Sequence, residues 1–299
     1  MDLRELELFL QLAESLSFTR TAEQRHMSLS AVSRTVQRME DELGRRLFER
    51  DRRSVRLTDA GRQFEDYARQ AVADWQRVSG ELRHDATELR GDVSVYCSVT
   101  ASYSVLSPIL ERFGGEQPGI DILLHTGDQA DAVGRIHNGQ EDVAVAARPD
   151  NLPGRLAFLT LMHSPLVFIA PDFDCAINDG LGGDTVEAIA ASPFILAERG
   201  VSKQRVESWF REAGRRPRIY AQVAGHEAIA SMVALGLGIG VVPQLVLENF
   251  TFRDRLRVID TEQPLGPFPV GLCADKQRLE GPLVSAFWSA ARRSYPGAK

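Results

Sequence analysis

Cysteine is scarce in this 299-residue chain: Cys97, Cys175 and Cys273 stand far apart. An odd, widely spaced set is neither a disulfide framework nor a zinc-ligand pattern, and it fits a reducing compartment. No apolar run approaches the roughly 20 residues needed to span a bilayer, so no membrane partner is expected. The opening MDLRELELFLQLAE carries acids from its second residue, unlike a secretory signal, and a cytoplasmic location is expected. Catalytic signatures are missing as well. There is no phosphate-binding lysine loop, no Gly-x-Ser-x-Gly elbow and no His-Glu-x-x-His pair. His125, His137, His163 and His226 have no neighbouring nucleophile with an evident role. Neither an enzyme nor a bound cofactor or metal is expected. What is present is ordinary globular chemistry, 43% hydrophobic and 25% charged, in a length that suits two or three compact units.

The net charge of −6 hides a local asymmetry. Between Phe18 and Leu57 the bases are Arg20, Arg25, Arg34, Arg38, Arg45, Arg46, Arg50, Arg52, Arg53 and Arg56. They outnumber the acids Glu23, Glu40, Asp41, Glu42, Glu49 and Asp51. Every base there is arginine, whose planar fork pairs with phosphate and with guanine. A basic module on an acidic body is the charge layout of a DNA-binding regulator, although scattered surface charge gives the same tally.

The pattern around these arginines is more specific. Leu3, Leu6, Phe9 or Leu10, Ala13 and Leu16 recur at helical spacing. Ser17 and Thr19 offer caps for a short helix from Thr19 to about Arg25, and Ser28 or Ser30 for a third helix that Gly44 ends. On that helix Val32, Val36, Met39 and Leu43 form the inward stripe, leaving Ser28, Ser30, Ser33, Arg34, Gln37 and Arg38 for the exposed face. Two short helices and a turn that present such a surface are suited to a major groove. Leu47-Phe48 and Val55-Arg56-Leu57 read as two short strands around an Arg50–Ser54 turn. In this β-wing Arg50, Arg52 and Arg53 would add backbone affinity rather than sequence reading.

The segment FTRTAEQRHMSLSAVSRTVQRMEDELGRRLFERDRRSVRLTDAG resembles the N-terminal signature of the LysR family of transcriptional regulators. Ala31-Val32-Ser33, the Glu40–Gly44 ending, Leu47-Phe48-Glu49-Arg50 and Leu57-Thr58-Asp59-Ala60-Gly61 carry the match. Leu29 and Thr35 stand where the family often has Gln, which bears on the operator sequence. Arg25 stands where an apolar residue is usual, which poses a packing question. The resemblance implies a winged helix-turn-helix over residues 1–58, a linker helix over 59–90 and a two-lobed, periplasmic-binding-protein-like (type 2) α/β inducer-binding domain over 91–299. It also implies double-stranded operator DNA, a small-molecule inducer and RNA polymerase as partners.

Thr58 caps a long helix from Asp59 to about Leu89, with Ala60, Phe64, Tyr67, Ala71, Trp75, Val78, Leu82 and Ala86 three or four residues apart. Such a stripe must be buried, against the same helix of a second subunit or against its own C-terminal domain. Pairing would give a homodimer that reads a two-fold operator, and the family implies a homotetramer.

From Gly91 strands and helices alternate, as in an α/β domain. Strands are expected at Asp92–Cys97, Ile120–His125, Asp142–Ala147, Leu166–Ala170, Pro193–Leu196, Arg218–Val223, Gly240–Val242 and Pro269–Cys273. Helices are expected at Ser104–Phe113, Asp131–Asn138, Lys203–Ala213, Glu227–Leu235 and Leu279–Ala291. By resemblance the chain crosses between lobes near His163 and near Pro267, giving lobe I about 91–163 and 268–299 and lobe II about 164–267. A ligand would sit at strand ends and helix starts. The candidates are Ser98, Thr100, Ala101 and Ser102; Gly127 and Asp128; Gly200, Val201, Ser202 and Arg205; and Gly225, His226 and Glu227. Each hydroxyl or acid there could equally cap its helix, and Arg205 could be an ordinary solvated charge.

The sensor segments Cys97–Ala101, Thr126-Gly127-Asp128, Gly225–Ala228, Ser231–Gly236 and Val246–Asn249 are similar to one branch of the family. Its members activate the ketol-acid reductoisomerase gene of branched-chain amino acid biosynthesis. Such a resemblance implies acetohydroxy acids, acetolactate and acetohydroxybutyrate, as inducers. The alternative is a LysR-type regulator of another metabolic pathway that senses a different small carboxylate. A solute-binding protein would need export and would carry no DNA-reading module.

Overall fold

The computed structural model describes residues 1–50, 55–83, 89–181 and 185–298. Two compact units divide the chain near residue 85. In the first, helix α1 (Leu3–Ser15) opens with a capping box: Asp2 accepts from the Glu5 N–H while Glu5 accepts from the Asp2 N–H. Helix α2 (Phe18–Gln24) is capped by Ser17, one of the two caps expected, and starts one residue before Thr19. Helix α3 (Leu29–Leu43) is capped by Ser28 and stopped by left-handed Gly44. Its apolar stripe is buried at Val32, Val36 and Met39, whereas Leu43 is exposed.

Arg25 resolves its packing question by pairing rather than burial. Its Nε donates to Gln11 and its Nη1 meets Glu7 at 3.2 Å. Strands β1 (Phe48–Arg50) and β2 (Val55–Leu57) run antiparallel with Phe48 opposite Leu57. The tip residues Asp51–Ser54, with Arg52 and Arg53 of the expected wing, lie outside the described residues, as does the side chain of Arg50.

Helix α4 (Asp59–Arg83) begins where Thr58 accepts from the Gly61 N–H at 2.9 Å and donates to the Arg46 carbonyl at 2.7 Å. Its apolar residues do not form the single unpartnered stripe read from the sequence. Phe64 and Ala68 are buried in this unit's own core, where Phe64 meets Phe9 edge-on at 4.8 Å. Tyr67 and Trp75 remain exposed. The period is right, but at its N-terminal end α4 turns that face to α1. The side chains of Val78 and Leu82, and residues 84–88 with Ala86, lie outside the described residues.

In the second unit β3 (Gly91–Cys97) is followed by α5 (Val99–Ser104), α6 (Ser107–Glu116), β4 (Ile120–Thr126), α7 (Ala132–His137), β5 (Val143–Ala147) and β6 (Leu156–His163). The chain then enters a second sheet through β7 (Leu166–Pro171), α8 (Ala176–Gly180), α9 (Val186–Ala191), β8 (Pro193–Ala197), α10 (Gly200–Glu212) and β9 (Arg218–Val223). Helix α11 (His226–Ala234), β10 (Ile239–Pro243), α12 (Gln244–Glu248) and β11 (Leu256–Ile259) complete that part. Strand β12 (Pro269–Asp275) returns to the first sheet and α13 (Pro282–Ser294) packs on its helix α6. The first five-stranded sheet has the order β4-β3-β5-β12-β6 and the second β11-β7-β10-β8-β9. Two lobes with a mixed sheet each are therefore joined by two chain crossings, 163–166 and 259–269. At the crossings the Ser164 N–H donates to the Phe268 carbonyl at 3.2 Å, and Ser164 Oγ accepts from the Leu245 N–H at 3.0 Å.

Two strands, β6 and β11, were not among those expected. Both are sheet edges held by single antiparallel partners, β12 for the first and β7 for the second. The helix expected over Ser104–Phe113 is α6, which starts at Ser107, and α5 precedes it as a separate helix that was not expected. Pro108, which has no N–H to donate, opens α6 and sets it off from α5.

The start of α4 generates a stability prediction. A Cβ on Gly61 would lie 2.1 Å from the Leu47 carbonyl oxygen, a backbone atom that cannot step aside cheaply. Gly61→Ala should destabilise the first unit by about 1–3 kcal/mol through overpacking. Urea unfolding of wild type and variant measures this, and an unchanged midpoint would contradict the contact.

Candidate functional site

Two surfaces concentrate the polar side chains anticipated from the sequence, one in each unit. On the first, Ser28 Oγ caps α3 by accepting from the Ala31 N–H and lies 3.0 Å from Ser30 Oγ. Arg34 is exposed, and its Nε donates to the Ser30 carbonyl at 3.3 Å, which draws the guanidinium toward the helix start. Gln37 is exposed one turn further, and Ser33 is half-buried. Arg38 reaches across to Glu5, whose side chain is nearly buried and already engaged in the α1 capping box. Sequence reasoning missed this partner because α1 and α3 are brought together only by the fold. Glu40 anchors the wing: its Oε1 accepts from the N–H groups of Leu47 at 2.8 Å and Phe48 at 3.1 Å. The arrangement leaves the polar face of α3 open on a base of paired carboxylates.

On the second surface the residues meet where the lobes face each other. Ser98 caps α5 by accepting from the Ala101 N–H at 3.2 Å, and Ser102 donates to the Val99 carbonyl at 2.7 Å. These two hydroxyls have local partners, so three hydroxyls do not converge on one point. Thr100 does reach across. Its hydroxyl donates to Glu227 Oε1 at 2.5 Å and its N–H to the same oxygen at 3.2 Å. Thr100 is buried, and Tyr103 Oη donates to its hydroxyl at 3.4 Å.

Gly127 sits against Tyr96, where a Cβ would stand 2.3 Å from the phenol oxygen, so a larger residue would displace the ring. Tyr96 Oη in turn donates to the Asp128 carbonyl at 2.9 Å. Asp128 accepts from the Ala130 N–H and lies 3.5 Å from Arg199, which pairs with Asp131 at 3.0 Å. Gly200 starts α10, with Val201 and Ser202 buried in its first turn. Arg205 is neither a free cation nor a solvated charge. It makes a two-pronged ion pair with Asp150 at 2.5 and 2.7 Å and donates to the Pro267 carbonyl.

Gly225 precedes α11, and His226 is buried beside the Phe268 ring at 6.1 Å. Burial pushes the His226 imidazole down to about 4, against a smaller upward pull from Glu227 and Asp128. It is therefore neutral at pH 7. Arg199, Asp150 and Tyr96 were not anticipated. Arg199 and Asp150 are charges of solvent-facing kind whose partners sit 50 or more residues away, and Tyr96 read as an interior strand residue. Among the described residues no cluster of His, Cys, Asp and Glu could hold a metal ion. No described helix is long and apolar enough to cross a membrane.

Comparisons with known proteins match each of the two units to a family. Residues 3–62 match the family described as "Bacterial regulatory helix-turn-helix protein, lysR family", and residues 86–296 match the "LysR substrate binding domain". The HTH-type transcriptional activator IlvY of Salmonella typhimurium is 43% identical over 96% of this chain and 98% of its own length. IlvY of Haemophilus influenzae is 40% identical over 97% of this chain and 99% of its own. The crystal structure of CbnR, a LysR family transcriptional regulator, shares the fold with a TM-score of 0.71 and 23% identity, covering 99% of each chain. Full-length CbnR complexed with its target DNA matches with a TM-score of 0.67 and 21% identity, over 98% of this chain and all of that one.

The buried imidazole generates a pH prediction. Its folded value of about 4 lies below the ordinary 6.5, so unfolding takes up a proton as pH falls below about 6.5. Stability from this source is complete above 6.5 and declines toward pH 4. The loss between pH 7 and pH 5 is about 2 kcal/mol, and His226→Gln should abolish it. Urea unfolding of both proteins at the two pH values checks this, and identical pH dependence would contradict it.

Proposed function

The chain belongs to the LysR family of transcriptional regulators, and from that membership we propose that it activates the ketol-acid reductoisomerase gene in response to acetohydroxy acids. It is a DNA-binding transcriptional activator and not an enzyme. What carries the finer reading is the 40–43% identity to IlvY activators, which runs through the sensor as well as the DNA-binding unit. On this reading the inducers are acetolactate and acetohydroxybutyrate. Each offers a carboxylate, a tertiary hydroxyl and a ketone.

The DNA-reading face is α3. Arg34 is placed for a guanine edge, Gln37 and Ser30 for neighbouring bases, and Arg38 for a phosphate once it leaves Glu5. Residues Arg50, Arg52 and Arg53 of the wing add backbone affinity. In the sensor, Thr100, Asp128, His226 and Glu227 line the inducer site, with Ser98 and Ser102 holding the shape of its rim. Two copies pair through α4, where exposed Tyr67 and Trp75 support an intermolecular contact, and dimers associate into a tetramer in the cytoplasm. Inducer binding alters the grip on operator DNA, and polymerase is engaged there. Because a ligand shifts an equilibrium only through different affinities for its states, the inducer must fit one arrangement of the lobes better than another.

Calorimetric titration with acetolactate, beside other small carboxylates, tests the inducer. Saturable heat with acetolactate is expected, and binding only to an unrelated carboxylate would move the regulator to another pathway. For the operator, Arg34→Ala should cost about 1–3 kcal/mol and relax sequence preference. Arg38→Ala should weaken all sequences alike and reduce the salt slope by about one unit. Fluorescence-anisotropy salt titrations on specific and scrambled DNA separate the two, and the reverse pattern would overturn the assignment. For assembly, Val78→Asp with Leu82→Asp should dissociate the dimer by placing like charges in its contact, whereas an unchanged sedimentation coefficient would place the contact elsewhere.

A further inference from the structure

Among the described residues, polar contacts that join the two lobes are Thr100 with Glu227, Arg199 with Asp128 and Asp131, and Arg205 with Asp150. The second and third are ion pairs of opposite charge. In the first, a carboxylate is held by two uncharged donors, the hydroxyl and N–H of Thr100. A small acid can replace that carboxylate like for like, because its own oxygen would accept from the same two donors. It could not share them, since two carboxylates at one pair of donors repel strongly.

We propose that Glu227 is a latch between the lobes, an internal carboxylate that occupies Thr100 until an acidic effector displaces it. This rests on the effector site described above and adds the residue against which the effector competes. The contact is well placed for the task. Glu227 lies in the first turn of α11, where the helix dipole favours a negative charge. The Tyr103 hydroxyl donates to the Thr100 oxygen, which leaves the Thr100 proton for Glu227. Thr100 belongs to α5 of the first lobe and Glu227 to α11 of the second, so breaking the contact uncouples elements on opposite sides of the cleft. An acid that takes Thr100 releases Glu227, and with it the contact between α5 and α11. Effector entry and lobe rearrangement are then one event.

The test uses the full chain with Glu227→Gln and Glu227→Ala. Glutamine keeps an acceptor for Thr100 without the charge, and alanine removes the acceptor. Without effector, hydrogen exchange of the peptide spanning residues 99–105 should speed up in Glu227→Ala by about tenfold and less in Glu227→Gln, since a hydrogen bond to a charged group is about twice as strong as a neutral one. In titrations with acetolactate, both variants should bind more tightly than wild type, by about three- to tenfold, because the internal competitor is weakened or gone. Unchanged exchange at α5 would overturn the latch, and so would weaker acetolactate binding in both variants. If wild type binds no acetolactate while exchange still accelerates in the variants, the latch stands and the choice of effector fails.

Discussion

The two lobes are joined by chain crossings at 163–166 and 259–269 and by contacts between side chains of opposite lobes, and this arrangement governs the sensor. The crossings are themselves tied, since the N–H of Ser164 on one meets the carbonyl of Phe268 on the other. The pairing of β6 with β12, Pro269 opposite His163, continues directly from that contact. The relation between the lobes is then set by contacts made across the cleft. There Thr100 meets Glu227, and Arg199 and Arg205 meet acids of the first lobe, beside a buried apolar cluster to which both lobes contribute.

The neutral, buried His226 belongs to the same logic. Packed against Phe268 at the returning crossing, it places a polar ring beside that crossing without a charge that would have to be matched. Its neighbour Glu227 carries the charge instead and takes it to the opposite lobe. The DNA-binding unit uses carboxylates differently, as fixed anchors. Glu5 closes the α1 cap and holds Arg38, Glu40 clasps the backbone entering the wing, and Thr58 joins the wing's approach to the start of α4. These anchors leave the outer face of α3 to exposed polar side chains such as Arg34 and Gln37.

The helix-turn-helix was legible because its signals are local. Caps at Ser17 and Ser28, the stop at Gly44 and the stripe Val32, Val36, Met39 all act within a few residues. The run Leu57–Gly61, which carries part of the family resemblance, acquires a physical reason only in the fold, where Thr58 bonds the Arg46 carbonyl and Gly61 clears that of Leu47. The alternation of strands and helices gave the α/β class, whereas β6 and β11 take their identity from partners distant in sequence. The cleft followed the same division. Helix starts at Ser98 and Gly225 could be read, but the pairing of Thr100 with Glu227, 127 residues apart, could not. Likewise Arg205 read as a solvated or anion-binding charge until Asp150 was brought to it. On α4 periodicity was real but silent about direction, so Phe64 was assigned to a partner subunit although it fills the core of its own.

On the proposed reading the bound regulator bends its operator, and an acetohydroxy acid acting between the lobes relaxes that bend. The most direct test of this reading is the bend of operator DNA from the reductoisomerase promoter, read by energy transfer between dyes at the DNA ends with protein saturating. Acetolactate should reduce the bend in a saturable way at the concentrations that fill the sensor. A bend that stays constant while the sensor fills would contradict the account.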